Sequence, residues 1–282
     1  MDIWYRLVDL LPFEWAEPGK MLFMKNALLA VLLIAPIFGI LGTMIVNNRM
    51  AFFSDALGHG AFTGIVIGGL AGFMQPLWSA VAFSIAFSLG ISVIRHKTKM
   101  SSDTVIGVFS SIAVAAGIFL ATIGGKSFTR LNSYLVGSIL SVTPSEIGII
   151  AVILIVVLVY WVVFFNKLLF SSVNPVLARS RGVRTFWLDT VFSAAIAILV
   201  TVSMSWIGLL VINSFLVLPA AAARNIARNQ RQYHLIAVLI SLFSGMSGLI
   251  ASYYIETASG ATVVIISALI FMVTLLFNKR TA

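Results

Sequence analysis

Nine apolar segments divide the sequence, and their length limits the possible folds more than any other feature. Each runs for about 17 to 26 residues, enough for an α-helix to cross the hydrocarbon core of a bilayer. Apolar residues fill 60% of the 282 positions and charged residues only 10%, which is typical of a membrane protein. The chain is therefore predicted to be all-α, a polytopic membrane protein of about nine transmembrane helices (eight to nine). The predicted spans are Met21–Val46, Ser54–Gly72, Leu77–Ile94, Val105–Ile123, Ile147–Phe165, Phe186–Met204, Ile207–Ala222, Leu235–Tyr253 and Ala261–Phe277.

Two stretches do not fit the pattern of long spans. Residues 1–20 are amphipathic, with aromatic residues such as Trp4 and Trp15, and are predicted to lie at the membrane interface. Residues 124–144 contain an apolar run too short to cross a bilayer alone, which predicts a short surface helix or a re-entrant piece. The whole chain, 1–282, is expected to form a single transmembrane domain.

Lys and Arg residues are distributed unequally between the loops that alternate along the chain. One set of loops carries 13 of the 18 basic residues, and the other set, with the N-terminal region, carries five. Cytoplasmic loops hold the excess of basic residues, so the N-terminus is predicted outside and the C-terminus inside. The net charge of +9 is therefore explained by the position of these loops beside the lipid bilayer, and no nucleic-acid partner is expected. The 13 residues are Arg49, Arg95, Lys97, Lys99, Lys167, Arg179, Arg181, Arg184, Arg224, Arg228, Arg231, Lys279 and Arg280.

The second predicted span opens with two residues that could bind a metal ion, Asp55 and His59. They are four apart, so a helix places both side chains on one face. A carboxylate and an imidazole inside a bilayer usually mark an ion or proton path, and they are suitable ligands for Zn²⁺, Mn²⁺ or Fe²⁺. The chain has no cysteine, so any metal must bind nitrogen or oxygen. The spacing alone leaves an alternative open, in which Ser54 or Asp55 caps the helix and His59 is a packed polar residue.

Residues 174–182, on the predicted cytoplasmic side, have the pattern of a complete short helix. Asn174 can cap it, Pro175 fits its first position, and Gly182 fits a left-handed exit. A helix of two turns would not persist alone in water. It must therefore rest on anionic lipid at the membrane surface or on a cytoplasmic partner protein.

Five sequence blocks, in the same order, resemble the membrane permease subunit of bacterial ABC importers for zinc, manganese or iron. The resemblance extends from about Met24 to Phe277. The blocks are Arg49-Met50 with Phe53–His59 and Gly64; Ser102–Thr104 with Ile106-Gly107; Leu135–Leu140; Asn174–Val183; and Gly208 through Pro219 to Arg224.

The resemblance implies an assembly in the bacterial plasma (inner) membrane. Its expected partners are a second copy of the chain, a cytoplasmic ATP-binding subunit, and an extracellular metal-binding lipoprotein or periplasmic protein. Asp55 and His59 are the implied metal-pathway residues, and a twofold axis would join two of each into a set suited to Mn²⁺ or Zn²⁺. The 174–182 helix becomes a coupling helix that meets the ATP-binding subunit. The coupling residues implied are Asn174, Pro175, Leu177, Ala178, Arg179 and Gly182.

No permanent cofactor and no enzymatic activity are expected in the chain itself. Gly124-Gly125-Lys126 lacks the spacing of a phosphate-binding loop and lies on the predicted outer side, so ATP would be hydrolysed by the partner subunit. The transported ion is expected to be zinc or manganese, possibly iron. An ion-coupled secondary metal transporter is the alternative, because it also uses intramembrane Asp and His but needs no cytoplasmic partner.

Five other polar residues are assigned lesser roles. Asn213 and Ser214 are expected to be hydrogen-bond partners between helices rather than metal ligands. Glu256, near the outer end of the eighth span, is either an outer-mouth residue that attracts cations or a solvated loop residue. His96 and His234 lie at cytoplasmic ends among basic residues, where solvated roles are expected.

Overall fold

The computed structural model describes residues 1–73, 76–123 and 139–277, and these residues form helices and turns without any strand. The all-α prediction is confirmed. The short surface helix or re-entrant piece predicted within 124–144 falls mostly on 124–138, outside the described residues. The α-helices are α1 (Asp2–Val8), α2 (Leu22–Asn47), α3 (Phe53–Leu70), α4 (Pro76–Lys97), α5 (Ser102–Ile123), α6 (Pro144–Val173), α7 (Pro175–Ser180), α8 (Thr185–Ile207), α9 (Leu209–Ile226), α10 (Gln230–Ile255) and α11 (Ser259–Leu276).

Nine of these helices, all except α1 and α7, correspond one to one with the nine predicted spans. Among the described residues, seven are long and apolar enough to cross a membrane, and these seven leave out α3 and α9. α3 carries Asp55 and His59, and the apolar part of α9 is the shorter stretch Val211–Ile226. The two helices with the weakest span signal thus carry the polar residues Asp55, His59 and Asn213.

Helix α2 forms the centre of the bundle, and its small residues allow other helices to approach closely. A Cβ atom on Gly42 would lie 2.1 Å from the carbonyl oxygen of Leu216 in α9, and one on Gly39 would lie 2.9 Å from the Cα of Val238 in α10. Backbone contact of this kind is how membrane helices associate when lipid is as apolar as their side chains. Helix α6 lies at the periphery, where residues such as Val162, 77% exposed, are suited to contact lipid.

The sixth and seventh spans meet at a different place from the predicted turn at Ser205-Trp206, and that prediction is wrong. Helix α8 continues to Ile207, and the break is Gly208 alone, with φ +86°. Ile207, Gly208 and Leu209 are all buried. Irregular backbone at membrane depth is tolerated where protein covers it, and Gly208 supplies the positive φ that other residues avoid.

The N-terminal segment packs onto the first turns of α2. Trp4 donates from Nε1 to the carbonyl of Lys25 at 2.9 Å, and the Tyr5 hydroxyl donates to Oδ1 of Asn26 at 2.9 Å. Lys25, fully buried, forms an ion pair with Asp9. Apolar residues of the segment, including Ile3, remain exposed. An amphipathic segment fixed in this way suits the predicted interfacial position, which stays a prediction.

Candidate metal-binding site and coupling helix

Asp55 and His59 lie in the first two turns of α3, and the cap by Ser54 or Asp55 that the alternative required is not found. The helix begins at Phe53, its N-cap position is Phe52, and no side chain caps it. The hydroxyl of Ser54 is buried without a hydrogen-bond partner among the described residues. The two potential ligands instead approach each other, with His59 Nε2 3.5 Å from Asp55 Oδ2.

That separation fits a shared metal ion. Bonds of about 2.1 Å that meet near the tetrahedral angle place their two donor atoms about 3.4 Å apart. The other carboxylate oxygen of Asp55 is occupied, because Asn213 in α9 donates from Nδ2 to Oδ1 at 3.0 Å. Asn213 is therefore the interhelical hydrogen-bond partner that the sequence predicted. It orients the carboxylate and leaves Oδ2 on the side of His59 Nε2.

The packing of α3 fixes where this pair stands. Thr63 donates to the carbonyl of Ala113 in α5 at 2.7 Å. A Cβ on Gly58 would lie 2.0 Å from Cδ1 of Leu209, and one on Gly64 would lie 2.7 Å from the Cα of Ala80 in α4. Contacts on these sides leave little freedom for rotation of α3, so the direction in which Asp55 and His59 point is set by the bundle.

The remaining side of α3 is open. The side chain of Asp55 is 42% exposed and that of His59 is 28% exposed, while most of the helix is buried. Phe52, three residues before Asp55, is also exposed. We call the exposed surface formed by Phe52, Asp55 and His59 the open stripe of α3. A carboxylate that faces lipid is costly, so this stripe needs a polar or protein partner. Among the described residues no group of three or more His, Cys, Asp and Glu side chains comes together, so one chain offers an ion two such ligands.

The predicted cytoplasmic helix is present as α7, with the predicted cap. Oδ1 of Asn174 accepts from the backbone N–H of Leu177 at 3.0 Å, Pro175 is the first helical residue, and Gly182 has φ +79°. The remaining predicted coupling residues differ in exposure. Leu177 and Arg179 are exposed, whereas Ala178 is fully buried against its own chain. Val176, which is not among the predicted coupling residues, is also exposed. Helix α7 therefore presents an apolar surface, although it is too short to be stable alone.

Glu256 and the two histidines predicted at cytoplasmic helix ends, His96 and His234, complete the predicted set. Glu256 is exposed and ends α10 in a left-handed conformation with φ +54°, and its outer-mouth role stays a prediction. The solvated roles expected for both histidines are wrong. His96 Nε2 lies 3.4 Å from Oδ2 of Asp189. His234 contacts the Thr43 hydroxyl at 2.7 Å, and its ring packs against Trp161.

The chain is a polytopic helical bundle in which two potential metal ligands, Asp55 and His59, lie close together. Comparison with known proteins specifies its family. The sequence pattern of the ABC 3 transport family matches residues 20–278, and the chain belongs to that family. It is 31% identical to the manganese transport system membrane protein MntC of Listeria innocua, over 92% of this chain and 91% of that protein. It is 30% identical to the high-affinity zinc uptake system membrane protein ZnuB of Haemophilus influenzae, over 90% and 97%.

A solved structure supports the fold. The structure of PsaBC from Streptococcus pneumoniae in complex with Fab superposes with a TM-score of 0.77, at 24% sequence identity, and covers 97% of this chain and 95% of the matched chain. At this identity the similarity shows that the fold is shared, and it does not identify the ligand.

Proposed function

We propose that the chain is the permease subunit of an ABC importer that carries Mn²⁺ or Zn²⁺ across the bacterial plasma membrane. The observation that carries the proposal is the Asp55–His59 pair, with donor atoms 3.5 Å apart in a member of the ABC 3 transport family. The relatives named for manganese transport and zinc uptake supply the two ions. Family membership also weighs against the secondary transporter, which would import metal without ATP.

The site is completed by a second copy of the chain. One copy offers one imidazole nitrogen and one carboxylate oxygen, and both lie on the open stripe of α3. A twofold axis along this stripe would join two Asp55 and two His59 side chains and would cover the carboxylates that lipid cannot solvate. Two nitrogens and two oxygens suit Zn²⁺ and Mn²⁺. Neutral imidazole and ionised carboxylate are the binding forms.

ATP hydrolysis belongs to a separate cytoplasmic subunit that docks on α7. The exposed side chains of Val176 and Leu177 form the contact, and the buried Ala178 holds the helix to its own chain. Metal would be delivered from outside by an extracellular metal-binding protein, to which Glu256 offers a negative charge. The experiment that tests the function is ATP-dependent uptake of ⁵⁴Mn²⁺ or ⁶⁵Zn²⁺ by proteoliposomes that contain the assembled complex, with and without Asp55 and His59.

The orientation proposed from the basic loops can be tested by labelling. The chain has no cysteine, so an introduced cysteine is the only site for a membrane-impermeant maleimide. Lys99 and Gln230 are exposed at the ends predicted to be cytoplasmic, and Thr257 is exposed at the opposite end. In intact cells we expect Thr257→Cys to react and Lys99→Cys and Gln230→Cys to react only after permeabilisation. The reverse pattern would overturn the orientation.

A further inference from the structure

Asp189, one turn into α8, binds the cytoplasmic end of α4. Its Oδ2 lies 3.4 Å from Nε2 of His96. His96 Nδ1 lies 3.0 Å from the carbonyl oxygen of Ser92, and its ring stands edge-on to Phe186 at 5.0 Å between centroids. Both ring nitrogens of His96 thus have an oxygen atom nearby, one on each side of the ring. One side chain of α8 and one of α4 are thus held in a single geometry.

A second polar contact joins the same two helices one turn away. The hydroxyl groups of Ser92 and Thr190 lie 2.9 Å apart, and both residues are buried. The two contacts together fix the position of α4 along α8, because sliding either helix would break both.

Helix α8 is in turn bound to α7, the proposed docking helix. Arg179 donates from Nε to the hydroxyl of Thr185 at 3.0 Å, and the N–H of Val183 donates to the carbonyl of Ala178 at 3.0 Å. Thr185 stands four residues before Asp189, on the same face of α8. A displacement of α7 therefore acts on the turn of α8 that holds His96.

On its other side, α4 is joined to the metal-site helix α3. Ser79 donates to the carbonyl of Gly64 at 2.8 Å, and Gly64 leaves no room for a side chain beside Ala80. At the cytoplasmic end, Arg95 lies 3.2 Å from the sulfur of Met50. Met50 is buried, and its carbonyl accepts from the N–H of Phe53, the first residue of α3. The two helices are therefore in contact along their length.

We propose that the His96–Asp189 contact is the joint through which movement of α7 reaches α3, so that His96 and Asp189 are positioning residues for Asp55 and His59. The inference rests on the proposed function, because it needs an ATP-binding subunit to move α7. The inference adds His96 and Asp189 to the residues needed for transport, although neither would contact the metal or the ATP-binding subunit. Helix α8 also contacts α3 directly, so loss of the joint should weaken the coupling and not abolish it.

The test is a double-mutant cycle in the complex with its ATP-binding subunit, reconstituted in proteoliposomes. The variants are Asp189→Asn, His96→Gln and both together, and the measured quantity is metal transported per ATP hydrolysed. We expect each single variant to lower this ratio roughly 2- to 30-fold. The double variant should lower it no further than the stronger single variant, since all three remove the same interaction. Glu14→Gln is the matched control, an exposed carboxylate in the N-terminal segment, and should leave the ratio unchanged.

The outcomes of this experiment distinguish failure of the His96–Asp189 joint from failure of the proposed function. Single effects that multiply in the double variant, or an unchanged ratio in all three variants, would overturn the joint while wild-type uptake still supports the proposed function. Absence of wild-type uptake would instead overturn the proposed function and the joint with it. If the Asp189 variants do not assemble, His96→Gln alone, which leaves the carboxylate in place, decides, and an unchanged ratio there would also overturn the joint.

Discussion

Asp55→Ala and His59→Ala should each abolish ATP-dependent metal uptake, although both variants should assemble in the membrane. Each change removes one donor atom per chain and therefore two of the four that a twofold site supplies. Loss of a group that only orients a ligand costs roughly 10- to 100-fold in metal affinity or activity, and loss of the ligand itself should cost more. Uptake of ⁵⁴Mn²⁺ or ⁶⁵Zn²⁺ at limiting metal measures the effect.

The controls separate metal binding from folding and from charge. Asn213→Ala removes only the hydrogen bond that orients Asp55, so its loss should fall in the 10- to 100-fold range. Asp55→Asn keeps the size of the side chain but is a weaker ligand, and should resemble Asp55→Ala. Glu14→Ala, which removes an exposed carboxylate in the N-terminal segment, should transport normally. Normal uptake by both alanine variants of the pair would reduce Asp55 and His59 to packing residues.

Leu177→Glu should detach the ATP-binding subunit. Leu177 is 46% exposed on α7. Full burial of a leucine side chain contributes about 1.5–3 kcal/mol, and about 1.4 kcal/mol corresponds to a factor of ten in affinity. A carboxylate at the same place would also have to be desolvated. We therefore expect association at least about tenfold weaker, measured by co-purification and by titration of the subunit, with a parallel loss of uptake.

The control for this change is Met100→Glu. Met100 is 49% exposed, just beyond the end of α4 that is predicted to be cytoplasmic. The substitution therefore has the same chemistry at similar exposure away from α7. It should bind the subunit normally. Ala178 is unsuitable for the test, because it is buried in its own chain and a bulky residue would disturb that packing directly. Equal subunit binding by wild type and Leu177→Glu would rule out α7 as the docking element.

The helices were predictable because bilayer thickness sets a minimum length of about 17 apolar residues for a span. The turn between α8 and α9 was placed wrongly for a related reason. A polar residue followed by an aromatic one suggests a surface turn at Ser205-Trp206. In the structure the helix continues through these residues and breaks at Gly208, which is buried. Sequence periodicity does not distinguish a buried bend from a surface loop.

The site was predictable only within one helix. The four-residue spacing of Asp55 and His59 placed them together, and the capped pattern of 174–182 predicted α7. The partner of Asp55, Asn213, lies 158 residues further along, so its contact depends on the packing of α3 against α9. Asp189 was missed altogether and His96 was assigned to solvent. The available signal was the presence of a carboxylate among Arg and His residues near the predicted cytoplasmic face.

The most direct test of a metal site shared between two copies of the chain is to measure how many metal ions the purified complex binds and which ligands hold them. At saturating Mn²⁺ or Zn²⁺ we expect one ion for every two permease chains, with imidazole nitrogen and carboxylate oxygen ligands in the X-ray absorption spectrum. The double variant Asp55→Ala, His59→Ala should bind none at this site. One ion per single chain, or an unchanged ion count in the double variant, would contradict a metal site shared between two copies.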